Sequence, residues 1–175
     1  MTVGHKYLLD SNVLIEAKKR WYSFGVCPGF WDSLLGNHKV GAVRSIDLVK
    51  SEVLQNDDEL TEWVCNRVPD EFFDSTNNEA VIQHYQDVQN WVATHPAYKP
   101  EAKATFADFN LADPWLIAYA KSFDFTVVTH ETFEKDRINK VKIPNVCNQF
   151  GIKWIDTFKM LENLRTVFIW QDAND

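Results

Sequence analysis

The stretch Tyr7-Leu8-Leu9-Asp10-Ser11-Asn12-Val13-Leu14-Ile15-Glu16 constrains this chain more than any other. A short apolar run stops at a carboxylate, two small polar residues follow, and a second apolar run begins. The first run reads as a buried strand, Ser11 or Asn12 as a helix cap, and the second run as the start of a helix. Such a junction sets Asp10 at the carboxyl end of a strand, the edge where open α/β sheets bind ligands and metals. The plainer alternative gives Asp10 only a capping role.

The helix that starts here runs to about Arg20, with Lys18-Lys19-Arg20 where cations suit a helix C-terminus. The aromatic stretch from Trp21 to Trp31 reads as a loop folded over the core, in preference to a base-stacking and phosphate-binding surface. A helix over Phe30–Leu35 is expected to end at Gly36-Asn37, and Val40–Val43 to form a short strand. Ser45 offers an N-cap to a helix with Ile46, Val49, Lys50 and Val53 at helical spacing, and Glu52 lies beside that apolar stripe. The acidic patch Asn56–Glu59 opens a helix over Leu60–Asn66. Pro69–Asn78 and Tyr98–Lys103 read as connections. Between them Val81, Tyr85, Val88 and Trp91 mark an amphipathic helix that His95-Pro96 ends.

Asp113-Pro114 reads as an N-cap followed by proline at the first helical position, heading a helix apolar on nearly every side. Phe125–Thr129 is a β-branched strand of the buried parallel kind, delivering Thr129 and Glu131 past its end. A charged connection with Arg137, Lys140 and Lys142 follows, punctuated by Pro144-Asn145. Ile152–Ile155 reads as the last strand and Asp156 as the cap of a helix to about Leu164. Val167–Trp170 reads as an extra strand or a docking segment. Strands alternating with helices imply a mostly parallel α/β sheet.

The length, 175 residues, is that of a single domain, residues 1–175, with one sizeable core. No apolar run approaches a membrane span and no secretory signal pattern opens the chain, so no membrane role is expected. Cys27, Cys65 and Cys147 are scattered without CxxC spacing, which points to neither a disulfide framework nor a zinc site but to reduced cytoplasmic thiols. The net charge of −7 argues against a protein that coats nucleic acid non-specifically. It leaves room for a nuclease, because clustered carboxylates that hold divalent ions lower the formal charge.

No P-loop, GxGxxG, GxSxG or HExxH occurs, and the five histidines show no paired ligand spacing. What remains is a set of acids at element ends: Asp10, Glu52, Asp113 and Glu131. In order and approximate spacing these resemble the acidic motifs of PIN-domain nucleases. Leu8–Ile15 resembles their opening motif, and Ala112-Asp113 with its apolar helix their third. Val127-Val128-Thr129-His130-Glu131 with Phe133 resembles their late strand, and Glu52 takes the place of their second acid. More narrowly, Tyr7 to Trp31, with Cys27-Pro28-Gly29-Phe30-Trp31, resembles the uncharacterised PIN-like family DUF4411.

The resemblance implies a PIN-like three-layer α/β/α sandwich and a Mg²⁺- or Mn²⁺-dependent endoribonuclease acting on RNA. It further implies a toxin role with an antitoxin partner and a homodimer. Asp10, Glu52, Asp113 and Glu131 are the implied catalytic and metal-binding acids, with Ser11, Asn12 and Thr129 as donors orienting them. Oxygen ligands select hard ions of this kind, which lower the pKa of water and stabilise charge on a leaving oxygen. The family's late acid is usually Asp, and Glu131 departs from that by one methylene. Asp108 and Asp47 are left outside the site. A PIN-like protein- or RNA-binding module with little catalysis is the alternative. A phosphatase of the haloacid dehalogenase type is disfavoured, because it wants an Asp where Asn12 stands.

Overall fold

The computed structural model describes residues 4–170. Its centre is β1 (Tyr7–Leu9), the apolar run of the opening junction, with each of its three residues at most 1% exposed. A strand buried so completely must be covered on both faces. Around it stand β2 (Val43–Ile46), β3 (Phe73–Asp74), β4 (Thr126–Val128) and β5 (Trp154–Ile155). All pairings are parallel and the order is β3-β2-β1-β4-β5. The chain therefore steps outward from β1 to β2 and β3, then returns to place β4 and β5 on the other side. The order reverses between β1 and β4, which opens a crevice at their carboxyl ends. Leu9 pairs with Val128 there, so Asp10 and Thr129 emerge side by side.

Helices connect and cover the strands, as the parallel arrangement requires. They are α1 (Ser11–Glu16), α2 (Pro28–Lys39), α3 (Asp47–Val53), α4 (Glu59–Arg67), α5 (Glu79–Thr94), α6 (Pro100–Phe106), α7 (Ala112–Phe123), α8 (Ile143–Phe150) and α9 (Thr157–Asn163). The π-helical segment Ala17–Trp21 continues α1. The result is the expected three-layer α/β/α sandwich with a central parallel sheet. The helix behind Asp113 is buried as expected: Leu116, Ile117 and Ala118 of α7 have no exposed surface. None of the described helices is long and apolar enough to cross a membrane.

Several local expectations are corrected. α2 starts at Pro28 and passes through Gly36 to Lys39; the turn lies later, at Gly41, whose φ of +77° suits glycine. The short strand consequently moves from Val40–Val43 to Val43–Ile46. Ser45 belongs to that strand and caps nothing: its buried hydroxyl donates to the Leu9 carbonyl at 2.7 Å, tying β2 to β1. The connection Pro69–Asn78 contains β3, and Tyr98–Lys103 leads into α6, which Pro100 opens. Pro144-Asn145 lies in the first turn of α8, a helix that ends at Gly151 with φ +66°.

Other readings hold. Asp58 caps α4 through Leu60 and Thr61, and Asp156 caps α9 through Lys159. The aromatic loop folds onto the core: Tyr22 stacks on Phe30 at 4.4 Å between ring centres, Phe24 on Trp31 at 4.1 Å. The Trp31 Nε1–H donates to the Tyr22 carbonyl at 2.8 Å, which fixes the loop's path. Val167–Trp170 has no regular structure; Phe168 lies on Gly29 and near Tyr22.

Candidate functional site

Asp10 follows β1 directly and occupies the cap position of α1 in extended backbone, yet its side chain makes no capping bond. Its carboxylate turns to β4 instead. Oδ2 accepts a hydrogen bond from the Thr129 hydroxyl at 2.9 Å, and Oδ1 accepts from Ser11 Oγ at 3.4 Å. The role of cap alone is thus set aside. Asp10 is 1% exposed. Burial pushes its carboxyl up to about 6; the Thr129 bond opposes the rise, and the charges of Glu131 and Glu52 add to it.

Glu52 reaches the same crevice from α3. Its Oε1 accepts from the Ala112 N–H, the first of α7, at 3.0 Å. This explains why Asp113 is not the cap expected of it. Asp113 is the second residue of α7, Leu111 takes the cap position without a side-chain bond, and Glu52 satisfies the helix's first donor from outside. The Asp113 carboxylate faces the cleft with no hydrogen-bond partner among the described residues. Burial raises its pKa well above the ordinary value, helped by the charges of Asp10, Glu131 and Glu52 and opposed by Lys140.

Glu131 stands past β4, held by both oxygens. Oε2 accepts from the Ile143 N–H that opens α8, at 2.8 Å, and Oε1 pairs with the Lys140 ammonium. Its own N–H donates to Thr129 Oγ1 at 3.1 Å, so Thr129 links Asp10 to Glu131. Burial works against the Lys140 ammonium, but Glu131, Asp113 and Asp10 outweigh it and raise its pKa. Lys140 lines the cleft; the sequence shows it only as one cation of a charged connection. Its signal was its place in the basic connection just beyond an acid-bearing strand.

These side chains line a cleft of about 310 Å³ with Ser11, Asn12, Glu52, Asp113 and Lys140 on its wall. Asp10 is not on its wall but is close enough to Glu52, Glu131 and Asp113 to feel their charges. Of the four acids expected from the sequence, Glu52 and Asp113 line the cleft, and Asp10 and Glu131 stand close enough for their charges to raise Asp113. Asp47 and Asp108 do not line it. Asp47 accepts from the Thr76 N–H and hydroxyl, both at 3.0 Å, and Asp108 from the Asn110 N–H at 2.9 Å. His130, between Thr129 and Glu131, pairs with the Thr157 hydroxyl at 2.9 Å.

The donor set fits a hard divalent ion. Two carboxylates stand on one wall, the neighbouring acids repel one another, and the only cation on that wall among the described residues is Lys140. Among the described residues no three His, Cys, Asp or Glu side chains form a ready-made cage. Mg²⁺ does not need one, since it keeps several waters and takes one or two carboxylates.

The family described as "Domain of unknown function (DUF4411)" matches residues 7–168. Among solved structures, the chain is similar to FitAcB from Neisseria gonorrhoeae, with 17% identity and a TM-score of 0.50 over 85% of this chain and 96% of that one. It is also similar to VapBC2 from Rickettsia felis bound to a DNA fragment from their promoter. There the identity is 14% and the TM-score 0.49, over 86% and 97% of the two chains. No curated protein matches.

Proposed function

This chain belongs to the DUF4411 family, whose fold here is PIN-like, and from that footing we propose that it is a metal-dependent endoribonuclease. The observation that carries the reading is Asp113: a carboxylate in a cleft, with no partner among the described residues, raised in pKa by burial and by three other acids. Such an arrangement is costly without a cation, and perturbed acids in a cleft are a mark of function.

Asp113 and Asp10 would hold Mg²⁺ or Mn²⁺, with Glu52 joining through the oxygen not bonded to Ala112. Bound there, such an ion would supply a more acidic water and charge stabilisation at the phosphodiester. The chain supplies the rest. Thr129 fixes the Asp10 carboxylate, and α7 fixes Glu52. Lys140, on the cleft wall, is placed to meet phosphate charge, and Glu131 holds it there. Glu131 is committed to the Lys140 ammonium and to the Ile143 N–H, so its role in this account is to orient Lys140. That engagement also favours the second reading, a PIN-like binding module with little catalysis.

By analogy with stand-alone PIN proteins, the biological role proposed is a cytoplasmic toxin with an antitoxin partner, able to pair as a homodimer. The exposed apolar side chains of Val26, Val167, Ile169 and Trp170 supply surface for a protein contact. The direct test of the metal reading is Mn²⁺ binding followed by electron paramagnetic resonance. Wild type is expected to bind, and Asp113→Asn to bind at least tenfold more weakly. Equal affinity in both would remove Asp113 from the site.

A further inference from the structure

Phe109 is 66% exposed, the most exposed of the described phenylalanines. The turn is well determined. Asp108 accepts from the Asn110 N–H through its carboxylate at 2.9 Å and from the Leu111 N–H through its carbonyl at 3.1 Å. Trp115 Nε1–H donates to the Phe109 carbonyl at 3.0 Å. Behind the ring stands a rigid aromatic stack: Phe109 meets Trp115 edge-on at 5.2 Å, and Trp115 stacks on Tyr85 at 3.8 Å.

The ring borders a groove of about 560 Å³ whose other walls include Ser51, Glu52, Gln55 and Asn110. Glu52 lines this groove and the acid cleft alike, so the two spaces meet at that residue. No lysine or arginine lines the groove, and Asp47 and Glu52 do, so it repels phosphate. What suits it is a neutral, flat group with polar edges. The side-chain amides of Gln55 and Asn110 have no hydrogen-bond partner among the described residues and present both donors and acceptors.

Resting on the ribonuclease reading above, we infer that this groove is a subsite for one unpaired nucleobase of the RNA, stacked on Phe109 and met at its edge by Gln55 and Asn110. The strand's phosphate passes to the acid cleft while a nearby base is held at Phe109. A base in a duplex cannot stack there, so the subsite selects single-stranded RNA.

The test uses fluorescence anisotropy of a labelled single-stranded oligoribonucleotide with Mn²⁺, on the full chain carrying Asp113→Asn so that the strand stays intact. Adding Phe109→Ala is expected to weaken binding roughly tenfold or more, the range for loss of one base–aromatic stack, while Phe109→Trp retains it. A single abasic nucleotide walked along the strand should reproduce the loss at one position and add nothing in the Phe109→Ala protein. The matched duplex should bind more weakly than the single strand. Unchanged affinity on Phe109→Ala with no sensitive abasic position overturns the subsite and assigns Phe109 to a protein contact; if wild type still cuts RNA, the ribonuclease reading survives that result. Wild type that neither binds nor cuts RNA overturns both.

Discussion

The Thr129 hydroxyl donates to Asp10 Oδ2 at 2.9 Å across the β1–β4 pair, inside the sheet's carboxyl edge. One bond thus joins the two strand ends between which the sheet order reverses, and it orients a carboxylate that is 1% exposed. The bond lowers the cost of burying Asp10 without cancelling it.

A pH dependence follows for the metal-free protein. The folded state holds the Asp10 proton up to about pH 6, against 3.8 for a free carboxyl. Between those values the folded state binds more protons than the unfolded chain, so stability falls as pH rises. The loss from this group is about 3 kcal/mol and persists above pH 6. Asp10→Asn removes that loss and should be more stable than wild type at neutral pH in EDTA, with most activity gone. Denaturant titrations in EDTA at acidic and neutral pH measure it. A less stable Asp10→Asn at neutral pH would mean that the ionised carboxylate is chiefly structural.

Glu52 carries two separable roles. Glu52→Ala should lose the bond to the first N–H of α7 and about 1 kcal/mol of stability, as an N-cap does. Glu52→Gln keeps a carbonyl acceptor and should stay near wild-type stability while losing metal affinity. Thermal melts beside Mn²⁺ titrations separate the two. Equal stability in both variants would make the Ala112 contact unimportant.

Glu131 uses its extra methylene to reach two partners, the Ile143 N–H and Lys140. Glu131→Asp shortens that reach and should cost about 1–2 kcal/mol through loss of a charge-assisted bond at the start of α8. Chemical denaturation reads the change. Undiminished stability would show that α8 does not depend on this carboxylate.

Much of this was legible from local pattern. The apolar run into Asp10, the β-branched run into Thr129 and the apolar helix after Asp113 each announce an element end, and the sheet order then brings those ends together. β3 was not legible because two residues carry no periodicity, and its pairing depends on β2 alongside. α6 and α8 had proline in the first turn as a signal, but both are short and their prolines also fit a loop. Local composition suggests caps at Ser45 and Asp113, whereas one serves a strand and the other yields its capping duty to Glu52. A bond between residues so far apart in the chain leaves no trace in local sequence. Lys140 is legible only as one of several cations in a charged connection; the fold alone carries it to the cleft wall.

The account stands most directly on cleavage of a mixed RNA pool by the purified protein with Mn²⁺ or Mg²⁺, beside EDTA and the folded Asp113→Asn variant. Cutting that requires the ion and falls at least a hundredfold in Asp113→Asn is the expected result. Cutting that persists in EDTA or in Asp113→Asn would contradict it. So would a folded wild-type protein that binds Mn²⁺ and leaves every RNA intact, which is the outcome a binding module would give.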